Sequence, residues 1–571
     1  MPSSNEFYIW KRTDTYADTL VAVGLTKMLW AITGGLATEI NEETSRYRVT
    51  LPDPLHLETT DFSILQRNPL YKFIQTKPEE TAPKGTESFD YITTKAHADA
   101  VREARKRRKA GENLIEIGAP PSIFYVYQKL NILQGISARN KLLEEIVNAK
   151  ENDLAHAIYN KLTALGNGQL PGDVSTKFSP KVAAVQVFNP AVGKGINRPK
   201  TDGATRASLP TAFVDWFEEW LRFIGSDVVL SGYTIGDDIK MSVPVPAKTT
   251  YANLSLLEKL ETTPAWTSRK SDLFAVFDLV NFLLRKSDEN LDSDWRYSVP
   301  VGGTPRDVFS SIQTAYFKSL GSAKPVSNIS SIGLPDWFPV RNVSHIQLWQ
   351  AMIDEHRSIL RLLDEDKSEE AELLHLYRDF LSATDWLSFL GFLGAYGCLI
   401  MSRRDRNKPI RSFSQYNLEE LFKMAQTRLP VADVIRNQGF RNIAKAIKQA
   451  TVSEQYLKSK GQQVFEIKYG LFQEIKRKAK FREELLAVIG EFVTEFNYEN
   501  ARREEQLKDK PGRRRKRVSM QDLEKLAELF DKFPGQKETE TIAMLLIAFA
   551  SSKDEKANDE VQDNDEEEVD L

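Results

Sequence analysis

The sequence predicts an α+β fold: a mixed N-terminal domain with short strands, then a helical middle and an all-α C-terminal bundle. Three observations predict it. Runs with β-type alternation fall in the first 250 residues, at Arg46 to Leu51 and in the pair Asp227 to Ile235 and Asp237 to Val245. From Leu254 onward the apolar period is helical, most clearly in Leu273 to Leu284 and Ile346 to Leu363. Near the end, Phe481, Leu485, Ile489, Phe492 and Phe496 share one helical face. A chain of 571 residues exceeds a single core. The expected division is 1–250, a mixed α/β recognition domain; 251–402, a mainly helical middle region; 403–553, a basic helical bundle; and 554–571, a disordered acidic tail.

The elements follow in order. Thr13 to Asp18 offers helix-capping chemistry, Leu20 to Ile32 is an apolar helix, and Gly34-Gly35 stops it. Arg46 to Leu51 is a strand that ends at Pro52-Asp53-Pro54, and residues 78–86 form a loop. Lys95 to Lys109 has helical composition and carries Arg102, Arg105, Lys106, Arg107, Arg108 and Lys109. Such a run is a solvated helix face, with phosphate contact as the sharper alternative. Asn113 to Gly118 is a short strand candidate, and Ile123 to Ala164 is largely helical. Lys181 to Phe188 is a β-type run, and Phe213, Trp216, Phe217, Trp220 and Phe223 form the aromatic core stripe of the next helix. Asp227 to Val245 then reads as a hairpin turning near Gly236. Pro300 to Pro305 and Lys324 to Pro339 are irregular connectors.

Trp386 to Met401 is an apolar stretch of 16 residues interrupted by glycines. A membrane span needs about 20 predominantly apolar residues, so this is a buried core helix. The charged linker Arg403 to Arg411 marks a domain boundary. Ser519 caps a further helix that Pro534-Gly535 ends, and Thr541 to Ala550 is the last apolar helix. No cationic stretch followed by an apolar run opens the chain, so a signal peptide is not expected, and the single cysteine, Cys398, suits a reducing compartment.

The net charge of −3 hides an asymmetry. Met401 to Lys553 carries 32 Lys and Arg against 21 Asp and Glu, while Asp554 to Leu571 carries ten acids and one lysine. The tail cannot bury enough surface to fold. The basic module suits a polyanionic partner whatever the overall pI.

A second basic region is the stretch Gln186 to Arg206, QVFNPAVGKGINRPKTDGATR. It holds Gly193 and Gly195 among Lys194, Arg198, Lys200 and Arg206, with one acid, Asp202. A loop of roughly 20 residues without its own structure is long, and such loops are functional or disordered. The readings are a solvated basic loop or contact with a nucleic-acid backbone.

Motifs of catalysis are missing. The six histidines form no HxH or HExxH pattern, and neither GxxxxGK[ST] nor GxSxG occurs. Glu466-Ile467-Lys468 and Glu474-Ile475-Lys476 match half of a carboxylate–lysine nuclease site, without a well-placed aspartate. No catalytic residue, metal or cofactor is expected.

Three segments resemble the large subunit of type I CRISPR interference complexes (Cascade). They are Asp14 to Leu29 (DTYADTLVAVGLTKML), the Gln-x-Phe-Asn-Pro … Gly-Lys-Gly … Lys element in Gln186 to Lys200 with its following aromatic helix, and Phe492 to Arg503 with the basic stretch and apolar helix after it. The resemblance implies a non-catalytic DNA-recognition subunit for antiviral defence in a prokaryotic cytoplasm. It would sense a protospacer-adjacent motif, leave sequence reading to the guide RNA, stabilise the R-loop and recruit the effector. Its partners would be guide RNA, target double-stranded DNA and its displaced strand, other Cascade subunits, and a helicase-nuclease or a transposition adaptor, with no membrane. Carried onto this chain, Lys194, Asn197, Arg198, Lys200 and Arg206 would contact backbone or groove, with Asn189 as a base reader. Arg502, Arg503, Arg513, Arg514, Arg515 and Arg517, in a domain that resembles the complex's small subunits, would take the displaced strand. Met401 or Met424 would start a separate small subunit by internal translation. The competing readings are a metal-dependent nuclease and an RNA-binding scaffold without target recognition.

Overall fold

The structure, a computed structural model, describes residues 3–109, 118, 120–132, 135–192, 214–235, 237–260, 268–289, 299–320, 325–424, 431–508 and 511–554. The chain is α+β and forms two compact units, Met1–Leu334 and Pro335–Leu571. The division falls ahead of the linker Arg403 to Arg411, because the helix preceding that linker packs with the C-terminal helices.

The first unit runs β1 (Ser3–Trp10), α1 (Tyr16–Ile32), β2 (Glu39–Glu42), β3 (Arg46–His56), α2 (Ser63–Arg67), β4 (Phe73–Gln75), β5 (Ser88–Asp90), α3 (Tyr91–Lys109), α4 (Ser122–Ile132), α5 (Ile136–Val147), α6 (Glu151–Gly166), α7 (Trp216–Val229), β6 (Ser231–Ile235), β7 (Asp238–Pro246), β8 (Lys248–Thr250), α8 (Tyr251–Leu256), α9 (Ser268–Glu289), α10 (Pro305–Val308), β9 (Phe309–Phe317) and β10 (Val326–Gly333). Two antiparallel sheets have the orders β1-β3-β2-β8 and β10-β9-β7-β6, and β4 and β5 form a parallel pair.

Helices α1 and α7 form the centre of this unit. Thr15 caps α1 by accepting from the Ala17 amide, and Asp215 caps α7 by accepting from Phe217 and Glu218. The helix backbones touch where they meet. A Cβ on Gly24 would lie 1.9 Å from the Leu221 carbonyl oxygen, and one on Gly225 would lie 2.1 Å from that of Leu20. Only glycine permits that approach. Thr19 of α1 then ties both sheets together, bonding the Tyr47 hydroxyl of β3 at 2.8 Å and Gln313 of β9 at 3.1 Å.

Four expectations change. β3 continues through Pro52 and Pro54 to His56, since beyond Thr50 it pairs with β1 alone, past a bulge, and its other edge needs no amide donors. Lys181 to Phe188 is irregular chain ending in a turn, where the amides of Phe188 and Asn189 both bond back to the Val185 carbonyl at 2.9 Å. Asp227 to Val229 complete α7 rather than opening the hairpin. Finally, β9 lies in the middle region expected to be mainly helical and β10 in the irregular connector expected at Lys324 to Pro339, and the two extend the β6–β7 hairpin to four strands. Their serines and threonines hide the pattern: Thr314 and Ser330 pair across the ladder, Oγ to Oγ, at 2.8 Å. The strand expected at Asn113 to Gly118 lies, all but Gly118, outside the described residues.

The second unit contains α11 (Val343–Arg361), α12 (Ser368–Ala383), α13 (Trp386–Asp405), α14 (Gln415–Met424), α15 (Val431–Arg436), α16 (Gln438–Ala450), α17 (Val452–Ser459), α18 (Leu471–Lys478), α19 (Arg482–Leu507), α20 (Met520–Lys532) and α21 (Gln536–Ser551). Among the described residues α13 is the one helix long and apolar enough to cross a membrane. It packs against α12 and α21, with Gly394 and Gly397 facing Met544 and Ile547, as a core helix does. Ser519 and Asp522 form a capping box at the start of α20. The acidic tail from Glu555 lies outside the described residues.

Candidate nucleic-acid interface

The basic loop of the first unit springs from two fixed stems. At its entry the Tyr16 hydroxyl donates to the Val187 carbonyl at 2.6 Å, and the Phe188 ring lies 5.1 Å from Phe223 of α7. At its exit Asp215 receives the Lys161 ammonium at 2.8 Å, and that ammonium also donates to the carbonyls of Pro171 and Val174. The stripe Trp216, Phe217, Trp220 and Phe223 is buried core and anchors the exit stem. Lys194, Asn197, Arg198, Lys200 and Arg206 lie outside the described residues. Asn189 is described, and it corrects an expectation: its side chain is 0% exposed, so it cannot reach a base edge from there. Both polar atoms of its amide lack a hydrogen-bond partner.

Beneath the loop stems lies a buried ionic cluster. Arg222 is paired with Glu219 and stands 3.7 Å from Glu218, which also receives Arg12. Burial pushes the carboxyls of Glu218 and Glu219 upward, and Arg222 opposes that shift.

In the second unit the run Arg513 to Arg517 has an inner and an outer side. Arg515 is buried, with its guanidinium carbon 3.5 Å from the Phe465 ring centroid and 4.3 Å from that of Phe496. Its Nε donates to Asn500 at 2.9 Å and its Nη2 to Glu499 at 2.8 Å. Arg513 donates to the buried Glu454 at 2.6 Å. These two arginines therefore clamp residues 511–519 onto α17 and α19, and Arg515, expected on a displaced strand, is buried. Asn497 completes the clamp by bonding both the amide and the carbonyl of Val518, at 3.0 and 2.8 Å.

Arg514, Lys516 and Arg517 face outward, with Arg514 donating to the Lys508 carbonyl and Arg517 paired with Glu504. Arg502 is exposed and Arg503 half-buried. In the first unit, the expected solvated cations of α3 carry local pairs, Arg102 with Asp99 and Lys106 with Glu103.

The sequence reading missed the aromatic half of the C-terminal surface. Tyr456 is 47% exposed and Tyr469 is 41% exposed. The Lys460 ammonium sits 5.7 Å from the Tyr456 ring centroid, and Lys458 sits 5.6 Å from that of Tyr469 while donating to its hydroxyl at 3.0 Å. Glu454 joins this segment to the clamp, since it accepts from the amides of Val464 and Phe465 as well as from Arg513. Lys468 then reaches Glu495 and Glu499 of α19. Tyr498 and Arg502 share that helical face, at i+3 and i+7 from Glu495, and both are exposed. The second unit thus exposes three tyrosines, two of them beside lysines, with Glu466 and Glu495 among them. The interleaved sequence YLKSK at Tyr456 to Lys460 was their readable signal.

Among the described residues no group of three His, Cys, Asp or Glu side chains could hold a metal ion. Neither a family model nor a curated protein matches the chain.

Proposed function

We propose that the chain is a non-catalytic nucleic-acid-recognition subunit of an RNA-guided CRISPR surveillance complex. In this reading the first unit presents its basic loop to target duplex DNA next to the protospacer-adjacent motif. The second unit holds the displaced single strand, and the assembly works with guide RNA, other Cascade subunits and a recruited helicase-nuclease or transposition adaptor. The observation that carries the reading is the surface of Tyr456, Tyr469 and Tyr498. Exposed rings interleaved with cations are what a single strand requires, because every base has a face to stack and every phosphate a charge to neutralise.

The test is fluorescence anisotropy with a single-stranded DNA oligonucleotide and the full chain. Stacking contributes about 1–3 kcal/mol per base, so Tyr456→Ala with Tyr469→Ala weakens binding at least ~10-fold. The fold is retained, because both rings stand at the surface. Unchanged affinity would sink the reading. Co-purification with one short, uniform RNA, when the chain is expressed with its complex, separates a guide-loaded subunit from a general RNA scaffold.

A further inference from the structure

In the second unit, one group of cations lacks carboxylate partners among the described residues. At the C-terminal end of α13, Arg403 is buried and paired with Glu370. The half-buried Arg404 beside it donates to neutral groups, the Val452 carbonyl at 3.4 Å and the Ser412 hydroxyl at 3.2 Å. Arg406, Lys408 and Arg411 follow in the turn and are exposed, as is Lys445 of α16. None of these five forms an ion pair with another described residue. Like charges gathered within a Debye length repel one another until an anion joins them.

The acidic segment of the chain leaves the unit at this place. The Lys553 amide donates to the Phe413 carbonyl at 2.8 Å, and its carbonyl accepts from the Gln415 amide at 3.0 Å, just past the turn. The next residue, Asp554, meets the Lys448 ammonium of α16 at 3.0 Å. Burial pulls the Lys448 pKa down and Asp554 opposes the fall, while the like charges of Arg404 and Lys445 deepen it. Asp554 is thus a carboxylate set among cations. After it, Glu555 to Leu571 carry nine acids and one lysine in 17 residues. Other acids nearby are engaged: Glu355 accepts from the Ser414 amide and from Asn417, and Asp405 stands 3.9 Å from Lys458.

We propose that Glu555 to Leu571 fold back onto the patch of Arg404, Arg406, Lys408, Arg411, Lys445 and Lys448 and compete there with nucleic-acid phosphates. Charge complementarity selects this occupant, and Asp554 makes the first of its contacts. Tethering raises the local concentration of the segment to the millimolar range, so weak individual pairs suffice. The patch adjoins the tyrosine-bearing α17, since Arg404 bonds the Val452 carbonyl and Asp405 reaches Lys458. A chain of 17 residues spans up to about 55 Å, and α17 is about 12 Å long, so the segment can also cover Lys458 and Lys460. The docking stands on the patch alone, whereas the competition rests on the single-strand reading proposed above.

The test uses the full chain. Zero-length carbodiimide crosslinking of the monomer, mapped by mass spectrometry, joins carboxylates of residues 559–570 to Lys408, Lys445 or Lys448. These links vanish in about 1 M salt, where the Debye length is about 3 Å. Asp565→Asn with Glu566→Gln, Glu567→Gln and Glu568→Gln keeps the length of the segment and removes four charges. A segment docked about two-thirds of the time leaves about one-third of the molecules open, so this variant binds a single-stranded DNA oligonucleotide at least ~3-fold more tightly. Lys408 and Lys445 are exposed, so Lys408→Gln with Lys445→Gln retains the fold. In that background the four tail substitutions give a smaller gain, because the patch that holds the segment is weakened. Absence of links to the patch would overturn the docking. Unchanged affinity in the neutralised variant, or an equal gain in the patch background, would overturn the competition. If neither wild type nor variant bound the oligonucleotide, the single-strand reading and the competition would fall together, and the links would still decide the docking.

Discussion

In the N-terminal unit Arg222 lies against Glu219 and near Glu218, with all three side chains sealed from water. In the C-terminal unit Arg515 lies between two phenyl rings, with a single carboxylate, Glu499, at its edge. Both arginines are buried, but the first is held by ions and the second mainly by aromatic faces. The difference decides what each one protects. Removing Arg222 strands a buried charge, whereas removing Arg515 loosens a surface segment and leaves Glu499, which is 21% exposed, able to reach water.

The largest expected effect follows from the ionic side. Arg222→Leu leaves Glu219 uncompensated and costs about 3–5 kcal/mol, read as a fall in the urea midpoint of the N-terminal unit. Adding Glu219→Leu recovers most of that loss, because a well-packed apolar pair replaces the ion pair. A single-variant loss below ~1 kcal/mol, the level of an exposed pair, would mean the cluster is not closed to water.

Arg515→Met sharpens the other side. It keeps a long side chain between Phe465 and Phe496 but removes the guanidinium, with an expected cost of about 2–3 kcal/mol from one charge-assisted hydrogen-bonded site and its cation–π contacts. Faster amide hydrogen exchange over residues 511–519 would report the released clamp. Arg517→Ala, which breaks only an exposed pair with Glu504, costs less than ~1 kcal/mol. Equal costs at the two positions would erase the distinction between the inner and outer sides of the run.

These arginines also mark where the sequence could and could not be read. Capping residues, helical periods and the aromatic stripe of α7 are local signals, and Thr15, Ser519, Trp216 and Trp220 perform in the structure as the sequence suggests. Arg513 to Arg517 reads as five equivalent cations because the residues that sort them, Glu454, Phe465 and Phe496, are distant in sequence. The strands β9 and β10 were hidden by serine and threonine, whose partners lie across the ladder. The cationic patch was hidden for the same reason as the clamp: Lys445 and Lys448 of α16 and the segment at Lys553 meet the linker only in the fold. Of the sequence-chosen site residues, Arg502, Arg514 and Arg517 remain on the surface, while the tyrosines beside them went unread.

A pH-dependent effect extends the comparison to a buried group that is neutral rather than charged. His356 in the second unit lies 5.2 Å from the Trp337 ring and 5.1 Å from Phe413, with Nδ1 2.7 Å from the Tyr377 hydroxyl. Burial pulls its pKa down to about 3 from the ordinary 6.5. The unfolded chain therefore takes up a proton below about pH 6.5, whereas the folded chain does not until far more acidic conditions. The neutral imidazole's contribution is complete above the unfolded pKa and is lost as pH falls toward the folded one. Between pH 7 and pH 5 this withdraws about 2 kcal/mol from the unit. His356→Phe keeps an aromatic ring among its neighbours and removes the titration, whatever it does to baseline stability. Urea unfolding at both pH values should show wild type losing about 2 kcal/mol more than the variant over that interval. Equal losses would show that the imidazole takes its proton in the folded unit, and that the aromatic cluster admits charge as the Arg515 stack does.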